Sequence, residues 1–167
     1  MAAASGMLVA YHNLGMIFKN ATNGVEQDFT KACSYFSKGA AEGSPVCNYN
    51  YGFMLYKGLG CSQDYGKAVE CFKKAAAYKH AASLYMLGLC YRNGYGVDAD
   101  NSLAKEYLVQ SANLGHNDAI EELLRPTPEN IGLTGNDIIN DSLQQSMPQV
   151  EAGFLSVDML TGVYDGI

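Results

Sequence analysis

Three histidines, five cysteines and two glycine pairs are the features of this 167-residue chain whose types could do chemistry. Cysteine and histidine could hold zinc, and either could act as nucleophile or base. Zinc sites set their ligands at short fixed spacings, yet Cys33, Cys47, Cys61, Cys71 and Cys90 contain no Cys-x-x-Cys pair, and the histidines form no His-x-x-x-His. His80 and His116 fall at matching turn positions, where a polar surface residue suffices, and His12 stands alone on a helical segment. The pairs Gly58/Gly60 and Gly94/Gly96 could cradle a phosphate, but that needs a strand before the glycines and a helix start just after. Each pair instead follows a helical segment, no Gly-Lys-Ser/Thr occurs, and the pair recurs from unit to unit. It reads as a turn. The expectation is therefore a chain with no catalytic residue, no metal ligand and no cofactor: not an enzyme.

The elements that position these residues repeat. Gly15, Gly52 and Gly88 mark them at spacings of 37 and 36. Downstream of each comes an aspartate with Lys and Ala after it: Asp28 with Lys31-Ala32, Asp64 with Lys67-Ala68, Asp100 with the inverted Ala104-Lys105. Small residues then recur at Ala40, Ala76 and Ala112, and the next unit opens at Cys47, Ser83 and Ala119. Each unit reads as helix A, a glycine-bearing loop and helix B. The apolar spacing predicts A helices over 8–19, 45–57 and 82–92, and B helices over 29–42, 65–78 and 101–114. A last helix over 117–125 ends at Pro126. Asp28, Asp64 and Asp100 are expected N-caps of the B helices.

On these residues the chain resembles the Sel1-like repeat family. That family's pattern runs Ala-x-x-x-Leu-Gly-x-x-Tyr, then Gly-x-Gly-Val, then Asp-x-x-Lys-Ala. The third unit matches it best, with Leu87-Gly88, Tyr91, Gly94-Tyr95-Gly96-Val97 and Asp100. The first departs most, with one extra loop residue and Gly24 alone where two glycines are usual. The resemblance covers about residues 8–125. It implies an all-α fold: a right-handed, TPR-like α-solenoid of about three helix-turn-helix repeats, a terminal half-repeat and an irregular C-terminal tail. It also implies that the A helices line the concave side. Some secreted members staple each helix pair with a disulfide, but Cys33 and Cys71 sit at non-equivalent places in helix B.

Charge narrows the partner. Residues 1–125 hold all 11 Lys and Arg against 11 of the 17 Asp and Glu, so the net −6 lies wholly in residues 126–167. A neutral body with an acidic tail argues against nucleic acid or an anionic membrane, which need clustered basic groups. No apolar run is long enough to span a bilayer, so no membrane insertion is expected. Met1–Val9 lacks the basic start of a signal peptide, and an odd cysteine count favours free thiols, so a cytoplasmic location is expected.

What remains is a face. Offsets −3, +1, +4 and +5 from each marker glycine share one side of helix A. They hold His12, Met16, Lys19 and Asn20; Tyr49, Phe53, Tyr56 and Lys57; Tyr85, Leu89, Arg92 and Asn93. The short last helix adds Glu121 and Arg125. Aromatic rings beside scattered cations suit peptide binding, and packing between repeats is the competing reading. The function expected is an adaptor or scaffold that binds another protein or peptide on the concave face. The alternatives are a secreted or periplasmic module of effector or immunity type, and a hydrolase of the cysteine-rich branch. Residues 126–149, rich in Pro, Asn, Gln and Gly, read as a linker, and 150–167 as an acidic, apolar tail that caps the array, docks in its own groove or is the edge of a longer protein.

Overall fold

The computed structural model describes residues 2–126, 132 and 135–146. In chain order these form α1 (Ala2–Asn20), α2 (Phe29–Ala41), α3 (Pro45–Lys57), α4 (Tyr65–Ala76), α5 (Ala81–Asn93), α6 (Asn101–Asn113), α7 (Asn117–Leu124) and α8 (Gly135–Ser146). No strand occurs among the described residues. The helices pair as α1/α2, α3/α4 and α5/α6, and α7 begins a fourth unit, so the fold is a helical solenoid.

Local chemistry sets where each helix begins. Asp28, Asp64 and Asp100 lie in extended backbone, and their carboxylates accept from the amides of Lys31, Lys67 and Leu103 at 2.9, 2.9 and 3.0 Å. Each satisfies one orphan amide at the start of a B helix. Ser44 does the same for α3, its hydroxyl accepting from the Cys47 amide at 3.3 Å, with Pro45 in the first turn.

The marker glycines are contact points. A Cβ on Gly15 would lie 2.4 Å from the Phe36 ring, on Gly52 2.9 Å from Phe72, and on Gly88 2.7 Å from Leu108. In every unit helix B therefore seats a large side chain against a notch in helix A. Three core clusters follow, each spanning neighbouring units: Ala32, Cys33, Phe36 and Met54; then Leu55 through α4 to Met86, Leu87 and Cys90; then Leu108, Val109 and Ala112 with Ala119 and Leu123.

Two elements differ from the sequence reading. α1 starts at Ala2 rather than near residue 8, because Ala2–Ala10 contains no breaker except Gly6 and extends the helix past the repeat pattern. The stretch 126–149, read as linker, contains the helix α8, which packs against α6 and α7; an added Cβ on Gly135 would lie 2.9 Å from Leu124. Lys105 of α6 meets Asp141 of α8 at 4.0 Å. The tail 150–167 lies outside the described residues.

Candidate functional site

The A helices touch one another through the side chains singled out above. Lys19 of α1 holds its Nζ 5.1 Å from the centroid of Phe53 in α3. Tyr49 of α3 packs on Phe72 and on His80, with ring centroids 6.1 and 4.8 Å away. Tyr85 of α5 stacks on His116 at 4.9 Å, and Arg92 forms an ion pair with Glu122 of α7. The row thus runs from α1 to α7 without a gap. His12, Met16, Lys19, Tyr49, Phe53, Tyr56, Tyr85, Leu89 and Arg92 are half-buried, while Lys57 is exposed. Each half-buried residue presents one side to its neighbours and one to solvent, so packing and an open face coexist here.

The cations differ in how they are held. Arg92 and Arg125 converge on Glu122, whose carboxylate accepts from Arg125 at 3.0 Å and whose side chain is 8% exposed. Arg92 is therefore already neutralised by the chain itself. Lys19 and Lys57 have no carboxylate within ion-pair distance among the described residues. Burial lowers Lys19 from its ordinary value, and its ammonium rests on the Phe53 ring. Lys57 lies over Tyr56 at 5.6 Å. Tyr56 in turn meets Tyr65 and Tyr95 at 5.2 and 6.0 Å, and those two rings stack at 4.9 Å.

His80 and His116 are not the solvated surface residues expected from their turn positions. Both are half-buried and floor the row of tyrosines. His80 caps α5, its Nδ1 accepting from the Ser83 amide at 3.3 Å and facing the Ser83 hydroxyl at 3.0 Å. His116 sits one repeat later with Ala119 in place of Ser83, and its buried Nδ1 has no hydrogen-bond partner among the described residues. The signal was in the sequence: both His80–His116 and Tyr49–Tyr85 are 36 residues apart, the repeat length. Glu122, Tyr65 and Tyr95 also belong to the row and lie outside the four offsets.

His80 is pushed below its ordinary value of 6.5, first by burial and then by the neighbouring His116. A base with a depressed folded-state pKa stabilises fully above its unfolded value, and that stability is lost as pH falls below it. The melting midpoint should therefore drop between about pH 7 and pH 5. His80→Asn keeps a capping oxygen and cannot titrate, so it should flatten that drop; an unchanged slope would remove His80 as its origin.

Cys71 and Cys90 do not make a reactive centre. Burial pushes Cys71 and Cys90 up to about 11 each, so both stay protonated near neutral pH. Ser102 and Lys105 have a Ser-x-x-Lys spacing, but Ser102 is exposed on the first turn of α6 and Lys105 is engaged by Asp141. No group of three His, Cys, Asp or Glu that could hold a metal occurs among the described residues. No described helix is long and apolar enough to cross a membrane.

The family described as Sel1 repeat matches residues 8–44, 45–77 and 81–116. No curated protein matches the chain. Among solved structures, it is similar to a protective antigen of uropathogenic Escherichia coli strains displaying an SLR fold, at 29% identity and a TM-score of 0.71 over 87% of this chain and 31% of that one. It is also similar to a Sel1 repeat protein from Oxalobacter formigenes, at 25% identity and a TM-score of 0.69 over 87% of this chain and 61% of that one. Cysteine rich protein B of Helicobacter pylori shares the fold, with 22% identity and a TM-score of 0.58 over 73% and 92% of the two chains. The chain thus spans less than two thirds of the length of the first two.

Proposed function

The chain belongs to the Sel1 repeat family, and we propose that it acts as an adaptor gripping an extended, acidic peptide along the row of A helices. Proteins of this family generally mediate protein–protein interaction, and most are non-enzymatic scaffolds. The observation that carries the finer reading is the pairing of half-buried rings with two cations that no carboxylate of the described residues neutralises: Lys19 on Phe53, and Lys57 on Tyr56. Tyr49, Phe53, Tyr56 and Tyr85 offer flat apolar surface at low entropic cost, while Lys19 and Lys57 select carboxylates. Arg92 stiffens the row through Glu122 rather than reaching for ligand. His12, Met16 and Leu89 extend the apolar surface between the rings. The balanced charge of residues 1–125 favours a protein ligand over nucleic acid. We place this adaptor in the cytoplasm, its repeat body 1–125 carrying the binding face, and no catalytic step or cofactor enters the reading.

A display library of extended peptides tests it. The wild-type chain should enrich peptides rich in Asp and Glu, and Lys57→Glu should weaken their binding by at least about tenfold while leaving the melting midpoint in place. Tyr49→Ala with Phe53→Ala should abolish capture. Equal enrichment by wild type and Lys57→Glu would move the binding face elsewhere on the molecule.

A further inference from the structure

We infer that Cys33 and Cys61 are a built disulfide-forming site between the first two repeats, one that takes a small-molecule disulfide as its oxidant. Cys33 belongs to α2 and Cys61 to the loop between α3 and α4. Cys61 packs against the cluster of Ala32, Cys33, Phe36 and Met54, its thiol donates to the Leu59 carbonyl at 3.6 Å, and its sulfur lies close enough to raise the Cys33 thiol. The repeat register shows that the pairing is specific. One repeat later the same two positions are Val69 and Val97, which share one apolar cluster. Both members of a single contact are thus cysteine at the first interface and valine at the second. Burial alone shifts Cys90, and the groups acting on Cys71 include no other thiol.

The two sulfurs differ in access. Cys61 is half-buried, whereas Cys33 is 6% exposed. Burial, and then the neighbouring Cys61, hold Cys33 up at about 12, so it stays a thiol until its partner has reacted. Cys61 as thiolate attacks a disulfide R–S–S–R, breaking the external S–S bond, releasing one RS⁻ and forming a mixed disulfide. Cys33 then displaces the second RS⁻ and gives up its proton, so that the Cys33–Cys61 bond forms and two RSH leave. Two electrons pass from the cysteine sulfurs to the external disulfide. The new bond closes a loop of 28 residues and fixes α2 against the loop leading into α4. No partner or ligand of the A-helix row is needed for it.

The full chain is incubated with oxidised glutathione, alkylated, and mapped by mass spectrometry without reduction. The expected product is one Cys33–Cys61 cross-link with Cys47, Cys71 and Cys90 alkylated, reversed by dithiothreitol. Its melting midpoint should rise by about 10 °C. Cys61→Val copies the residue of the next repeat, and should fold, lose the cross-link and leave Cys33 reduced. Five alkylated cysteines, a glutathione adduct that stays on Cys61 without closing, or a cross-link through any other pair would overturn the assignment.

Discussion

Replacing Gly60 by alanine should cost about 4 kcal/mol of folding stability, read as a fall in the denaturation midpoint. Gly60 stands in the loop between α3 and α4 with φ +69°, and a Cβ there would lie 2.0 Å from the Phe29 carbonyl oxygen and 2.6 Å from the Thr30 amide nitrogen. Two penalties combine. The left-handed backbone costs an L-residue roughly 1–2 kcal/mol. The collision is with main chain at the start of α2, which cannot rotate aside as a side chain can, so the interface between the first two repeats must open. Gly96 repeats the arrangement, its Cβ falling 2.4 Å from the Tyr65 carbonyl carbon at φ +72°. Gly24 isolates the two causes, since its φ is +73° but nothing lies within 4 Å of an added Cβ. Gly24→Ala should therefore cost only about 1 kcal/mol. If the Gly60 and Gly24 variants melt alike, close approach between repeats is not what the paired glycines are for.

The second large effect is expected from Phe72→Ala, at about 4 kcal/mol. Phe72 is fully buried, lies against the notch at Gly52 and packs its ring at 6.1 Å on Tyr49. Its loss removes one of the largest buried side chains in the cluster that joins α3, α4 and α5, so the damage spreads to both neighbouring interfaces. Phe72→Leu should recover more than half of the loss, because it refills much of the volume. Urea denaturation of the three proteins decides this: a Phe72→Ala midpoint within error of wild type would mean that the units do not depend on this contact.

Within the repeats, the helix boundaries were legible because they are set locally. The aspartate caps, the glycine turns and the breaker at Pro126 act within a few residues of the ends they define, and α2, α4 and α6 begin where Asp28, Asp64 and Asp100 require. Helix α8 was hidden for a physical reason. Its Asn, Asp, Ser and Gln residues are neutral or poor helix formers, and the helix draws its order from packing on α6 and α7, which lie earlier in the chain. The signal that remained was the helical spacing of Ile139 and Leu143, four residues apart.

The face shows the same division. Helical offsets brought Lys19, Tyr49, Phe53, Tyr85 and Arg92 to one side of their own helices, which is a property of a single helix. They could not show that Lys19 would rest on Phe53 or that Arg92 would meet Glu122, because those contacts depend on how one repeat is rotated on the next. His80 and His116 were misread for that reason as well. Their turn positions are exposed in an isolated unit and become half-buried only when Tyr49 and Tyr85 of the preceding unit lie over them.

Helix α8 is made of different material from the units it adjoins, and that bears on how such a chain can change length over evolutionary time. Duplication of the segment from α3 through α4 would insert a copy whose two faces already fit their neighbours, since each core spans adjacent units. A copy added beyond α7 would instead meet the surface that α8 already occupies. The array is free to grow from its interior while the α7 end stays sealed, so a gain of repeats would lengthen the row of A helices without rebuilding that end.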